Sequence, residues 1–491
     1  MNSSKTHWAI SGVSTLYLLL MVSATTQAQP LSFQDAESYL LESSLSTQAS
    51  QALQQAAQLE ADALKGLGLP RMDLNVRAYS FHSEVDIPLQ QFKNNLESTI
   101  SQGINGQISQ WESNQNLPAG MSDPLQQGIG NVLHNGIGMI PDTSNVILED
   151  QVIRPTVSVT LPLYTGGLTQ SAKSMASIQA NRSELNSKQE QDTQRFELIH
   201  AYFNVQLQRQ LEAAARLNLS AMQKHQQNAL KLERQGFISK GQRMQFEVAQ
   251  NNALRSQQNS TANVKAALFK LNNLLRQGNV IELSTPLFVN RNPPDNINQL
   301  LANAGKDSAL VQKMQLDTEL AKANIKAQQA TQKPNVFAFG EYSIDNKQNW
   351  IVGVAARYNL FSGIDKSKNM QAAELKRYAS ELLTARTQQE IETLIYKSYT
   401  EAVSAQQSDS LLQENLKAAQ ENLRIQELSF REDMGTATQV IDAQNILSSL
   451  KAESALNAYK YVMALATLLQ SQGQLERFPQ YLHQVNTHHL R

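Results

Sequence analysis

The 491-residue sequence has no cysteine, which excludes disulfides, thiolate metal sites, cysteine nucleophiles and a lipid-modified N-terminal cysteine. Aromatic residues are scarce, at 6%. Net charge is −1, so no broad basic face is available and bulk nucleic-acid binding is disfavoured. Proline and glycine are absent from two very long stretches, 168–235 and 364–434. Long apolar runs are missing after the N-terminus, where Lys5 and His7 precede Trp8 to Val22 and small residues follow at Ala24 and Ala28. That pattern predicts a secretory signal over 1–28, cleaved after Ala28, with a single-pass anchor as the alternative. Membrane insertion by the rest would have to use β-strands.

What is present is a strand followed by a hinge and a very long helix, twice. Val157 to Leu163 alternates apolar with small or polar residues, Tyr164-Thr165-Gly166-Gly167 breaks, and a helical pattern runs to Gly236. Trp350 to Tyr358 alternates, Asn359 to Gly363 breaks, and a helical pattern runs to Gly435. In the first helix Phe196, Ile199, Phe203, Leu207, Leu211, Ala214, Leu217 and Ala221 predict a coiled-coil-like seam. About seventy residues of helix span on the order of 100 Å. Ser239 with Gln242, and Thr436 with Gln439, each match a capping box that opens a returning helix.

Before each unit lie a helical segment and another strand. Residues 31–69 read as one helix ended by Gly66, Gly68 and Pro70. In the next stretch Met72, Leu74, Val76 and Ala78 share one face, and Asp73, Asn75 and Arg77 the other. Gln48 and Pro70 recur as Gln312 and Pro334, 264 residues later. Tyr164, Gly166 and Tyr202 recur as Phe361, Gly363 and Tyr399, 197 residues later. The difference of 67 marks residues 81–150 as an insertion in an otherwise duplicated unit. The expected organisation is a first repeat over 29–284 carrying that insertion, a second over 285–475, and a tail over 476–491. Residues 279–294, with Pro286, Pro293 and Pro294, read as a linker. The tail, with His483, His488 and His489, reads as solvated, with metal binding as the alternative.

Strands of about ten residues can cross a bilayer core at a tilt. Four strands cannot close a barrel, and an open edge in lipid leaves amides unpaired. Closure then needs several chains. Eight strands would fill their own interior, whereas twelve, from a trimer, leave room for water. Asp73, Arg77 and Arg357 would face that lumen, and Trp350 and Tyr358 would sit in interfacial belts. Phe337 and Phe339 fit less well, because they share a face with Glu341. A soluble sheet packed on helices is the alternative. The expected fold is mainly α with membrane β: a duplicated unit of helix, two strands and long helical hairpin. Three copies would make a 12-stranded barrel continued by a helical barrel, with 81–150 as an extracellular loop at the outer face, since both flanking strands enter from the helix side.

With that order on the page, the chain resembles the TolC-like outer-membrane efflux proteins. The resemblance rests on the tandem repeat, on Leu163 to Gly167 and Leu360 to Gly363 at the strand-to-helix joints, and on Gly435 to Gln444 after the second tip. It marks Tyr164, Gly166, Gly167, Phe361 and Gly363 as joint residues. It implies a homotrimer in the outer-membrane lipid of a Gram-negative bacterium, with a long periplasmic extension. It also implies a periplasmic membrane-fusion adaptor and an inner-membrane transporter of the RND, ABC or MFS type. Cargo would leave by tripartite efflux or type I secretion, with no enzymatic chemistry and no cofactor. The tips, with Gly236, Phe237, Ser239, Gly435, Thr436 and Thr438, would contact the adaptor. The resemblance places Asp442 at a periplasmic gate, and Gln439 where a second acid can stand. Three carboxylates around one axis repel each other and attract cations. Asp442 could instead complement the positive end of the last helix, and Gln439 could serve only its capping box.

Two other classes remain to be weighed. A periplasmic coiled-coil adaptor or structural protein would also be secreted and rich in helical hairpins, but the strands before the long helices argue against it. An enzyme is disfavoured, because no zinc-protease, P-loop or nucleophile-elbow motif occurs.

Overall fold

A computed structural model describes residues 30–80, 151–276, 280, 282–292, 296–344, 348–361, 363–432 and 434–490, with scattered positions from 99 to 139. The predicted signal segment and most of the insertion lie outside the described residues.

The segment read as one helix is two: α1 (Phe33–Ser43) and α2 (Leu45–Ala63). Ser44 separates them in an extended conformation, and its hydroxyl accepts from the Thr47 amide at 3.2 Å. A serine there offers the backbone a cap in place of another helical turn. The same break recurs 264 residues later. Ser308 has nearly the same dihedrals, φ −66° and ψ 116°, between α5 (Ile297–Asp307) and α6 (Ala309–Ala330). The side-chain amide of Gln48 donates to the Glu42 carbonyl, and that of Gln312 to the Lys306 carbonyl.

Each helix pair leads into two strands. β1 (Arg71–Ser80), β2 (Gln151–Tyr164), β4 (Asn335–Ser343) and β5 (Trp350–Arg357) form one antiparallel sheet in the order β1-β2-β4-β5. β2 leads through a short turn into α3 (Leu168–Arg234), and β5 leads into α7 (Lys366–Arg431). At 67 and 66 residues these helices are each on the order of 100 Å long. α4 (Lys240–Leu275) returns along α3, and α8 (Ala437–Ser471) along α7. α2 packs on α3, while α6 packs on both α3 and α7.

The seam on α3 forms where expected through Ile199, Phe203, Leu207 and Ala214, all buried. It then shifts. Leu217 is exposed, and Ala215, Met222 and Ala229 take the buried positions at heptad spacing.

The main core lies at mid-height of the helices. Phe33, Tyr202, Phe203, Phe288 and Phe478 are almost fully buried there, with ring centroids 5.3–6.1 Å apart and mostly edge-to-face. The Tyr202 hydroxyl donates to the Leu31 carbonyl at 2.7 Å and accepts from the Thr285 amide at 3.0 Å.

Two expectations are corrected at this core. Residues 279–294 are more than a linker: Leu287–Asn290 forms a fully buried strand, β3. The tail is more than a solvated extension: it forms α9 (Phe478–Tyr481) and β6 (Thr487–Leu490), and β6 pairs antiparallel with β3, while His483 and Val485 between them stay exposed. His488 bonds through Nδ1 to the Asp409 carboxylate on α7 at 2.9 Å, and Arg291 Nη2 reaches the same carboxylate at 2.8 Å. Strands of four residues have too little length to show a period, so the sequence pattern could not reveal them.

Candidate functional site

The sheet is inverted relative to that of a water-soluble protein. Met72 and Leu74 on β1 are 70% and 68% exposed, and Val352 and Val354 on β5 are 72% and 66% exposed. The register sets these residues beside Val157, Val159, Ala338 and Gly340 on one apolar face. The other face carries Asp73, Asn75, Arg77, Thr156, Ser158, Glu341 and Arg357, and there Asn75 and Thr156 are buried. Asp73 pairs with Arg71 at 3.0 Å, Arg77 with Glu341 at 3.3 Å, and Asn75 Nδ2 donates to the Ser158 hydroxyl at 2.9 Å. Apolar outside and polar inside is the pattern of a β-wall in lipid.

Aromatics bracket the apolar face. Tyr342 and Trp350 are cross-strand partners at the end far from the helices, and Tyr164, Tyr358 and Phe361 lie exposed at the helix end. Eight strand residues at about 3.3 Å each span roughly 26 Å, close to the apolar band of an outer-membrane barrel. Among the described residues no helix is long and apolar enough to cross a membrane.

The joints bend the chain from the sheet into the long helices. Gly166 and Gly167 both hold positive φ, 66° and 104°, which side chains resist. A Cβ on Gly166 would also lie 2.7 Å from the Ala330 carbonyl oxygen, so the first joint needs glycine twice over. At the second joint Gly363 is left-handed, and Asp365 caps α7 by accepting from the Lys368 amide at 3.0 Å.

At the opposite pole each hairpin turns tightly. α3 ends in a Schellman motif: Gly236 has φ 79° and donates to Glu233, and Phe237 donates to Leu232. Both capping boxes form. The Gln242 amide donates to the Ser239 hydroxyl at 3.2 Å, and the Gln439 amide to the Thr436 hydroxyl at 3.3 Å. In return the side-chain oxygen of Gln242 accepts from the Ser239 amide at 2.7 Å, and that of Gln439 from the Thr436 amide at 2.6 Å. Gly435 is not left-handed; a Cβ there would lie 3.2 Å from the Phe430 nitrogen, so its constraint is close packing.

The two tips pack on each other through Ala229, Phe246, Ala437 and Val440, and the Thr438 hydroxyl contacts Gln245 Oε1 at 3.4 Å. Phe237 and Met434 project outward, 64% and 78% exposed. Asp442 is exposed on α8, beyond the first helical turn, where the helix dipole has little hold on it. Beside the tips runs an open groove lined by Asn218, Met244, Val248, Asn252, Ile441 and Asn445, a feature that single-helix periodicity could not reveal.

The chain has relatives among solved structures. The Vibrio cholerae outer membrane protein VceC is similar with a TM-score of 0.69 at 13% identity, over 90% of this chain and 96% of that one. The open-state MtrE outer membrane channel of Neisseria gonorrhoeae is similar with a TM-score of 0.67 at 15% identity, over 90% and 89%. CusC, whose structures concern folding and transmembrane channel formation, is similar with a TM-score of 0.69 at 12% identity, over 90% and 91%. No curated protein matches by sequence. Residues 298–474 match the model of the family described as outer membrane efflux protein. Residues 298–474 thus carry the signature of the outer membrane efflux proteins, and nine-tenths of the chain shares the fold of the TolC-like channels.

Proposed function

We propose that three copies of this chain close a twelve-stranded barrel in the outer membrane of a Gram-negative bacterium. The long helices then form a periplasmic tube, and the assembly is a passive exit duct for a tripartite efflux or type I secretion system. The observation that carries this reading is the inverted sheet, with its two unpartnered ends. Among the described residues, β1 and β5 each have a neighbour on one side only. β1 leaves the helices and β5 returns to them, so β5 of one copy can pair antiparallel with β1 of the next. Repeating that contact makes a head-to-tail ring with no edge left in lipid. Two copies would fill the interior with side chains, whereas three leave a wet conduit.

The tips are the natural docking end for a periplasmic membrane-fusion adaptor, which would link the duct to an inner-membrane transporter of the RND, ABC or MFS type. Phe237 and Met434 offer apolar anchors there, and the groove beside Asn252 and Ile441 offers a concave surface. Asp442 is proposed as the acidic ring of a periplasmic gate, because its carboxylate is exposed and unclaimed by the helix start. Gln439 would take part in that gate only secondarily, since its amide oxygen serves the Thr436 cap.

The wall itself is testable by cysteine pairing in a chain that has none. Leu74→Cys on β1 with Val354→Cys on β5, scanned one register step each way, should link neighbouring copies into covalent trimers in outer-membrane fractions. Links confined within single chains, or a soluble periplasmic protein, would favour the adaptor reading instead.

A further inference from the structure

The two aromatics on the polar face of β4 have separate explanations. Phe339 lies opposite Gly353 in the register, and a Cβ on Gly353 would come within 2.7 Å of the Phe339 ring. The ring therefore covers the bare backbone of a glycine in the neighbouring strand. Phe337 is only 3% exposed, and beside its sheet neighbours the insertion lies against it: a Cβ on Gly128 would come within 2.7 Å of the Phe337 ring and 3.4 Å of the Ala355 Cβ. Next to Gly128, Ile129 packs with Ile100, Ile104 and Ile108, of which Ile104 and Ile108 are buried.

The position of this contact along the barrel is informative. The insertion leaves β1 and enters β2 at the end far from the helices. Phe337 and Ala355 lie near the helix end of their strands. Phe337 is six residues from Ser343, so Gly128 sits roughly 20 Å down the wall from the level of Ser343.

We propose that the part of the insertion around Gly128 lies inside the barrel and seats on an apolar ledge of Phe337, Phe339, Gly353 and Ala355, which makes this contact a constriction of the conduit. The proposal rests on the channel reading above, because only there is the polar face a lumen. Each copy would carry one such segment, so three would converge at the level where barrel meets tube. An apolar constriction in an otherwise polar lumen opposes hydrated ions more than amphiphilic cargo.

The test begins with Gly128→Cys and Ala355→Cys, whose Cβ atoms would lie near disulfide distance. The pair is made both alone and with Phe337→Leu, which clears the ring from the new Cβ. Oxidation in outer-membrane fractions should give a link within one chain, identified by peptide mass. Gly128→Cys with Val352→Cys, on the opposite face, should give none. In bilayers, deletion of 99–139 should raise single-channel conductance by at least about twofold. Failure of the 128–355 link while both thiols react with a soluble reagent would overturn the seating. A link with unchanged conductance on deletion would overturn the constriction. A parent trimer without conductance would remove the channel reading instead, and the link would still report the contact.

Discussion

Arg77 and Glu341 stand at equivalent positions of the two repeats, 264 residues apart, and they bond to each other at 3.3 Å. Arg77 projects from β1 and Glu341 from β4, with β2 between them, so the contact reaches across a whole strand. The two copies of the duplicated unit are thereby joined through opposite charges at one site. Both side chains are mostly shielded, at 18% and 19% exposure, and removing one partner leaves the other charge poorly solvated.

Glu341→Gln should therefore lower the heat stability of the protein by roughly 1–3 kcal/mol. The swap of Arg77→Glu with Glu341→Arg should recover most of that loss. Thermal melting of the detergent-extracted protein reads both. Equal damage from the single and the double variant would mean that the pair is incidental.

The mid-height core carries a built-in acid sensitivity. Burial alone would raise the Asp409 carboxyl, but hydrogen bonds from His488 and Arg291 outweigh it and hold the group below the ordinary carboxylate range. A carboxylate depressed in the folded state contributes stability above its unfolded pKa, about 4, and loses it as pH falls through the folded value. Wild-type stability should thus decline below about pH 4, with the β3–β6 sheet loosening from α7. Asp409→Asn should be less stable at neutral pH and flatter on the acid side. Thermal melts across the acid range decide, and identical pH profiles would refute the assignment.

Phe237 is exposed at the first tip and belongs to none of the buried clusters. Phe237→Ala should leave trimer yield and melting unchanged. Export of cargo should fall several-fold, on the order of 1–2 kcal/mol of adaptor binding. Efflux and adaptor cross-linking in cells measure this. Full efflux with the tip truncated would move adaptor docking elsewhere.

Asp442→Asn separates a gate from a surface carboxylate. On the proposed gate reading this removes three carboxylates from the axis, and cation selectivity and block by divalent ions should both weaken. Gln439→Ala should instead cost about 1 kcal/mol of α8 stability, because it breaks a cap. Bilayer recordings and melts of the two variants should therefore show opposite patterns. Unchanged selectivity in Asp442→Asn would remove the gate role.

How legible these features were in the sequence depended on length and repetition. The long helices announced themselves through 67 residues without proline or glycine, and both capping boxes through residue spacing alone. The sheet's two faces were readable from alternation, because Met72, Leu74 and Val76 fall at period two against Asp73, Asn75 and Arg77, but the same alternation fits a soluble sheet, and the exposure of the apolar face emerges only in the fold. Less visible were features made by contact between distant segments. The break at Ser44 coincides with a hydroxyl cap, but the same break at Ser308 forms without a side-chain cap bond. The β3–β6 sheet joins strands about 200 residues apart, each only four residues long. The shift of the α3 seam after Ala214 reflects α3's packing partners, which its own periodicity does not encode. The odd placement of Phe337 made sense only once Gly128 was found against it.

The central claim is that one chain supplies a third of a closed wall. Native mass of the detergent-extracted protein, followed by reconstitution of the same fraction in a planar bilayer, tests it most directly. The account predicts a mass of three chains and discrete conductance steps from that fraction alone. A single-chain mass in aqueous buffer, with a silent bilayer, would contradict it.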